Sequence, residues 1–153
     1  MDTNIVAAFA QATKGTFKEM FALTAEDTGA GELTDSEDHG WDITGLVGLA
    51  GQAQGVVAIR LTNALLSSLL ASTGVASGAD ETRQIESGLV GEMINIIAGQ
   101  AISSIHNINI DIAPPVIVRG PNHRIGWPNI ASVIALSFKL PSGAFEIDLC
   151  IKH

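Results

Sequence analysis

The chain has 153 residues, of which 46% are hydrophobic and 16% are charged, and its formal net charge is −8. This length predicts one compact domain over residues 1–153, and the many apolar side chains exclude a disordered chain. The acidic charge argues against a nucleic-acid partner, because phosphates attract basic surfaces. No signal peptide is recognisable, and no uncharged apolar run approaches the roughly 18 residues of a membrane span. We therefore expect a soluble cytoplasmic protein without a membrane partner.

The first part of the chain predicts a helix, a loop and a β-hairpin. Apolar side chains recur at helical spacing over residues 3–22, which predicts an amphipathic helix. From Glu19 to Asp42 the chain carries eight acids and no lysine or arginine, which predicts a solvated acidic loop. A contact with a basic partner is the alternative interpretation of this segment. Alternating apolar residues then predict a hairpin over residues 42–62, with a turn near residues 51–55.

Four glycines stand in this hairpin, at positions 45, 48, 51 and 55. A phosphate-binding loop would need a following Lys-Ser or Lys-Thr pair and a helix, and the chain has neither here. The glycines are therefore interpreted as turns, bulges or places of close backbone approach.

The second part of the chain predicts two helices followed by strands. Thr62 or Asn63 caps a short helix that ends at Gly74, and a long helix runs from Glu81 to His106. A strand over residues 110–118 is interrupted by two prolines, which places it at a sheet edge or bulge. A loop over residues 120–129 precedes a final hairpin at 131–140 and 144–151. This order predicts an α+β fold, with antiparallel hairpins layered against a long helix and two shorter helices.

The residues that usually carry chemistry are sparse. The four histidines (His39, His106, His123 and His153) are dispersed and have no partner at metal-ligand spacing, so no bound metal is expected. Cys150 is the only cysteine, and its alternating apolar surroundings predict a core thiol. No nucleophile motif or dinucleotide fingerprint occurs, so no cofactor is expected. An enzyme built from this chain must use very few groups.

The long helix has an unusual polar side. At 100° per residue, Glu92 and Asn95 lie one turn apart on it, bordered by Gly88, Gly91 and Gly99. Each interior glycine costs about 1 kcal/mol relative to alanine. One interpretation is an ordinary solvated helix. The other is a helix surface from which the glycines project no side chains, so that a partner backbone can approach the carboxylate and the amide. The opposite side is apolar and comprises Leu89, Val90, Met93, Ile94, Ile96, Ile97, Ala101 and Ile105.

The segments GEMINIIAGQA and DIAPPVIVRG resemble the signature of the CheX/CheC family of chemotaxis phosphatases. That family carries E-x-x-N on a long helix, which matches Glu92 and Asn95, and a proline on the following strand, which matches Pro115. The likeness runs from about Ile43 onward, and the single E-x-x-N is closer to CheX than to CheC. The family usually has Ser or Asp four residues before the Glu, where this chain has Gly88.

The resemblance implies a CheC-like fold and a cytoplasmic phosphatase in chemotaxis or related two-component signalling. It would hydrolyse the aspartyl phosphate of a CheY-like response regulator with Glu92 and Asn95 as catalytic residues, while Gly88, Gly91 and Gly99 contact the partner. No cofactor of its own is implied, because the receiver domain supplies Mg²⁺. A homodimer is also implied. The alternatives are a non-catalytic receiver-binding or flagellar-switch-like module, and a structural oligomer packed through the glycines.

Overall fold

The computed structural model describes residues 3–34, 40–74 and 79–153 as three helices and seven strands in an α+β arrangement. In chain order the elements are α1 (Thr3–Phe21), β1 (Glu26–Glu32), β2 (Ile43–Gly51), β3 (Gln54–Leu61), α2 (Asn63–Ser72), α3 (Ala79–Ser103), β4 (Ile110–Ile112), β5 (Val116–Arg119), β6 (Ile134–Leu140) and β7 (Gly143–Lys152). Within these ranges, no helix has both the length and the apolar character that crossing a membrane requires.

The strands form one antiparallel sheet in the order β1-β6-β7-β3-β2-β4, and β5 also pairs with β2. Both predicted hairpins are present, as β2–β3 and as β6–β7. The two prolines fall between β4 and β5, which pair with opposite ends of β2. The predicted fold class is confirmed, and so is the prediction that the prolines interrupt an edge strand, because proline cannot donate to a ladder.

The acidic segment is only partly a loop, so the prediction for it is wrong. Its first residue, Glu19, belongs to α1, and Glu26–Glu32 forms β1, which pairs with β6 at one end of the sheet. Every side chain of β1 is exposed. An edge strand needs no apolar face when its backbone alone satisfies the pairing. The remaining acids at positions 35, 37 and 38 lie outside the described residues.

The helices cover one face of the sheet and form the core with it. Helix α1 buries Ile5, Phe9 and Phe17, as its predicted periodicity requires. The ring of Phe17 stacks on Phe145 of β7 at a centroid distance of 4.4 Å, and Phe145 stacks on Phe138 of β6 at 5.2 Å. Offset aromatic pairs of this kind add to the free energy of area burial. This stack fixes α1 over the β6–β7 hairpin.

Helix α2 begins and ends where the sequence predicts. The Thr62 hydroxyl accepts a hydrogen bond from the Leu65 amide at 3.2 Å, which is the geometry of an N-cap. The Asp42 carboxylate accepts a second one from the Asn63 amide at 2.7 Å. After the helix, Gly74 adopts a φ of 76°, a left-handed conformation that suits glycine.

Helix α3 lies directly on β2 because Gly45 has no side chain. A Cβ atom at Gly45 would lie 2.7 Å from the Val90 Cγ1 atom and 3.3 Å from the Val90 carbonyl oxygen. Contacts this short are not tolerated between carbon atoms, so a larger residue would displace α3. The interpretation of the hairpin glycines as sites of close approach is confirmed at this position.

The second face of the sheet is covered by the segment 120–133. Arg60 and Asp148 are fully buried there, with 3.6 Å between Nη1 and Oδ2, and Arg60 Nε donates to the Thr44 hydroxyl at 3.1 Å. His123 of the covering segment contacts the same hydroxyl through Nε2 at 2.6 Å. Cys150 is buried beneath the segment as predicted, and burial raises the pKa of its thiol. The segment therefore removes Arg60, Asp148 and Cys150 from water on this face of the sheet.

We expect Gly45→Ala to lower the free energy of unfolding by about 1–3 kcal/mol, the usual cost of overpacking. The measurement is urea denaturation followed by circular dichroism. Gly31→Ala is the matched control, because a Cβ at Gly31 of β1 would meet nothing within 4 Å. If the two variants had the same urea denaturation midpoint and slope, the packing of α3 on β2 would not depend on the missing side chain at Gly45.

Candidate functional site

Helix α3 separates its buried and exposed residues as the sequence predicts. Val90, Met93 and Ile97 are fully buried against the sheet, whereas Glu92 and Asn95 are exposed. Among the described residues, neither of these two polar side chains has a hydrogen-bond or ion-pair partner within the chain. Because its apolar side is held in the core, the helix presents a carboxylate and an amide that are available to another molecule.

Strand β5 supplies the second wall of a groove beside these two side chains. The groove has a volume of about 460 Å³. Its lining residues are Ser87, Gly88, Gly91, Glu92, Asn95, Pro115 and Ile117. Pro115 precedes β5, and Ile117 lies two residues further along on the same side of the strand. The structure thus brings Glu92, Asn95 and Pro115 to one groove, although nineteen residues separate Asn95 from Pro115 in the sequence.

The three glycines of α3 are not equivalent. Gly88 is exposed and Gly99 half-buried, and a Cβ at either position would meet nothing within 4 Å. Gly91 is buried, so its predicted place on the exposed face is wrong. A Cβ there would lie 3.4 Å from Pro115 Cγ, because the proline packs over it. Gly91 therefore admits a residue of the same chain, while Gly88 and Gly99 leave the helix surface open.

A partly buried ion pair next to the groove was not predicted. Arg119, the last residue of β5, lies 3.0 Å from the Glu86 carboxylate of α3, measured from Nη2 to Oε1. Its Nη1 atom also faces the Ser87 hydroxyl at 3.5 Å. Side chains alternate along a strand, so Pro115, Ile117 and Arg119 fall on one side, and this alternation is the signal that the sequence offers for the ion pair. Using that signal would have required the knowledge that this side of β5 faces α3.

Three other grooves on the described surface are larger, at about 580, 530 and 540 Å³. Two of them border α1, and the third crosses the β6–β7 hairpin. Volume alone therefore does not select the groove beside α3. It is distinguished by two polar side chains that point outward without a partner in the described part of the chain.

The groove contains no nucleophile with an adjacent base. In the ranges that the structure describes, no set of three histidine, cysteine or acidic side chains is placed to hold a metal ion. The Asn95 amide can donate and accept hydrogen bonds at the same time, and the Glu92 carboxylate can pair with a cation. Two such groups can orient a water molecule and bind a charged partner.

Comparisons with known proteins identify the class to which this fold and groove belong. The sequence model of the family described as chemotaxis phosphatase CheX matches residues 43–139. This range includes α3 and β5, and hence every lining residue of the groove. The chain belongs to the CheX family.

Solved structures share the fold over nearly the whole chain. The chemotaxis protein CheX from Vibrio vulnificus has 26% identity and a TM-score of 0.84, covering 97% of this chain and 99% of that one. A CheC-like superfamily protein from Shewanella sp. PV-4 has 23% identity and a TM-score of 0.85, with full coverage of both chains. The CheX-CheY-BeF3-Mg+2 complex from Borrelia burgdorferi has 21% identity and a TM-score of 0.83, covering 97% of each chain. A search of curated protein sequences finds no match.

Proposed function

We propose that this protein hydrolyses the aspartyl phosphate of a CheY-like response regulator in chemotaxis or a related two-component pathway. The observation that carries the proposal is the pair of exposed, unpaired side chains, Glu92 and Asn95, on α3 of a CheX-family domain. The Borrelia burgdorferi relative was solved in complex with CheY, BeF3 and Mg+2. That complex supports a receiver domain as the partner of this chain.

Few catalytic groups are needed for this reaction. An aspartyl phosphate is an activated acyl phosphate, and the receiver domain supplies its own Mg²⁺, lysine and threonine to the phosphoryl group. The phosphatase must then add a water molecule held in line with the phosphorus–oxygen bond. We therefore propose no cofactor for this chain, and we assign the Mg²⁺ to the receiver.

Asn95 is the residue that we propose orients the attacking water. Its side-chain carbonyl accepts a hydrogen bond from the water, while its NH₂ group donates to a phosphoryl oxygen. Holding the water at the phosphorus replaces a random encounter by a fixed geometry, which lowers the entropic part of the barrier. A loose transition state requires little proton abstraction, so an amide suffices where a stronger base is absent.

Glu92 is proposed to pair with the active-site lysine of the receiver. Its carboxylate is exposed on α3 one turn before Asn95, so a cation bound there also fixes the register of the amide. The ion pair forms where the two surfaces exclude water, which makes it stronger than a pair on a free surface. Glu92 therefore contributes to docking and alignment rather than to proton transfer.

The glycines are proposed to make room for the receiver in two ways. The open surfaces at Gly88 and Gly99 let a partner backbone approach the helix on either side of the polar pair. Gly91 acts beneath the contact, because it allows Pro115 to pack close and shape the groove that Gly91 also lines.

We expect Asn95→Ala to lower the rate of receiver dephosphorylation by roughly a hundredfold or more, since a misplaced water loses most of the orientation effect. The measurement is phosphate release from a phosphorylated CheY-like receiver. Binding of the receiver with beryllofluoride, measured by calorimetry, should change by less than about threefold, because the amide contributes little docking energy. Asn129→Ala is the control, as Asn129 is exposed in a loop outside the groove.

Two outcomes would contradict this assignment. An Asn95→Ala variant as fast as the unmutated protein would remove Asn95 from the reaction. An unmutated protein that binds phosphorylated receivers without accelerating phosphate loss would favour the alternative, a non-catalytic receiver-binding module.

We expect Glu92→Lys to weaken receiver binding at least tenfold, about 1.4 kcal/mol, because it places two cations together at the interface. Glu92→Gln should weaken binding less, and the difference between the two variants should shrink as salt is added. Glu81→Lys is the matched control, since Glu81 is exposed on α3 and lies roughly 16 Å from Glu92 along the helix axis at 1.5 Å per residue. If Glu81→Lys weakened receiver binding as much as Glu92→Lys does, the loss would reflect the total charge of the protein rather than a contact at Glu92.

We further propose a homodimer in which the sheets of two chains join edge to edge. In the described ranges the sheet ends at β1 on one side and at β4 on the other, beside which β5 also borders β2. The side of β4 and β5 is interrupted by two prolines, which lack an N–H donor, so β1 is the better surface for pairing. This arrangement leaves Asn95 exposed, unlike an oligomer packed through the glycines of α3.

Light scattering coupled to size-exclusion chromatography should then give twice the 15.9 kDa mass of one chain. Added salt should strengthen the dimer, because Glu26 and Glu32 of the two β1 strands repel each other across the contact. A single-chain mass at all concentrations would exclude the dimer.

A further inference from the structure

We infer that Arg119 is a positioning residue for the groove beside α3, and this inference rests on the function proposed above. Arg119 contacts neither Glu92 nor Asn95. It connects the strand that carries one wall of the groove to the helix that carries the other wall.

The guanidinium of Arg119 has four partners on two helices. Nη2 pairs with Glu86 Oε1 at 3.0 Å and donates to Asn63 Oδ1 of α2 at 3.3 Å. Nη1 donates to the Arg83 carbonyl oxygen at 3.3 Å and to the Ser87 hydroxyl at 3.5 Å. The planar fork of an arginine can serve these acceptors together, whereas a lysine ammonium is a single point of charge.

The ion pair is largely removed from water. The side chains of Arg119 and Glu86 are 17% and 8% exposed. The second carboxylate oxygen of Glu86 accepts a hydrogen bond from the Ser67 hydroxyl of α2 at 3.5 Å. A pair that is largely shielded from water and has further hydrogen bonds favours one geometry, because breaking it would leave a poorly solvated charge.

The Arg119 contacts lie directly beside the groove. Ser87 lines the groove itself, and Gly91 and Glu92 follow one turn later. Ile117 of β5 and Pro115, just before that strand, lie two and four residues before Arg119 on the same side. Strand β5 has four residues and pairs with β2, so Arg119 supplies polar contacts that tie β5 directly to α3.

The test must separate positioning from folding. Arg119→Met leaves the Glu86 charge buried without its partner, so the single variant is expected to lose stability. The double variant Arg119→Met with Glu86→Met removes both charges and replaces them with apolar side chains of similar length. Replacing both members of a buried pair in this way is often neutral for stability. Arg124→Met is the control, because Arg124 is an exposed arginine of the adjoining loop.

In the double variant, with an unchanged melting temperature, we expect faster amide hydrogen exchange over residues 83–92. We expect kcat for a phosphorylated receiver to fall about tenfold with KM within about twofold, because the loosened walls misplace Asn95 against the phosphoryl group. Arg119→Lys keeps the pair with Glu86 and should restore part of the loss, to within about threefold of the unmutated kcat.

The hydrogen-exchange measurement is independent of activity. Unchanged exchange over residues 83–92, or an unchanged kcat despite faster exchange, would overturn the role of Arg119. If the unmutated protein accelerates phosphate loss from no receiver, the proposed function fails, and the exchange measurement still decides whether Arg119 fixes α3.

Discussion

The contact between α3 and β2 is the constraint on which the site depends. Gly45 lets the helix backbone approach the strand at Val90, so a larger residue there would displace the buried side of α3. The same strand pairs with β5, which carries the opposite wall of the groove. Strand β2 therefore sets the position of both walls of the groove. A helix that packed loosely on the sheet would still fold. It would not, however, hold Glu92 and Asn95 at a defined distance from Pro115.

The acidic charge of β1 has little influence on the groove beside α3. The exposed acids of β1 stand at the far end of the sheet, four strand spacings from β2. At about 4.8 Å per spacing this is roughly 19 Å, about twice the screening length at physiological ionic strength. The negative charge of Glu92 acts locally, whereas the acids of β1 are largely screened. The net charge of −8 therefore overstates the negative potential at the groove, because the acids of β1 are part of that sum.

Most of the fold could be predicted because each element is specified by nearby residues. Thr62 and Gly74 bound α2, and the two prolines divide β4 from β5, by mechanisms that act within a few positions. The polar pair on α3 followed from helical periodicity. The strand β1 could not be predicted, because its pairing uses backbone groups and its side chains lack an apolar face. The burial of Gly91 and the pairing of Arg119 with Glu86 depend on the neighbour that α3 meets, which local patterns do not contain.

The open surface around Gly88 and Gly99 has a consequence for how such proteins diverge. Substitutions on that side of α3 leave the core packing untouched, because a Cβ there would meet nothing within 4 Å beyond the helix's own backbone. Under the proposed function, this side can therefore adapt to a different receiver at little cost in folding. The buried side of the same helix has no such freedom, since Val90 and Gly45 must change together. One helix thus combines a buried side that packing constrains with an exposed side that packing leaves free to vary.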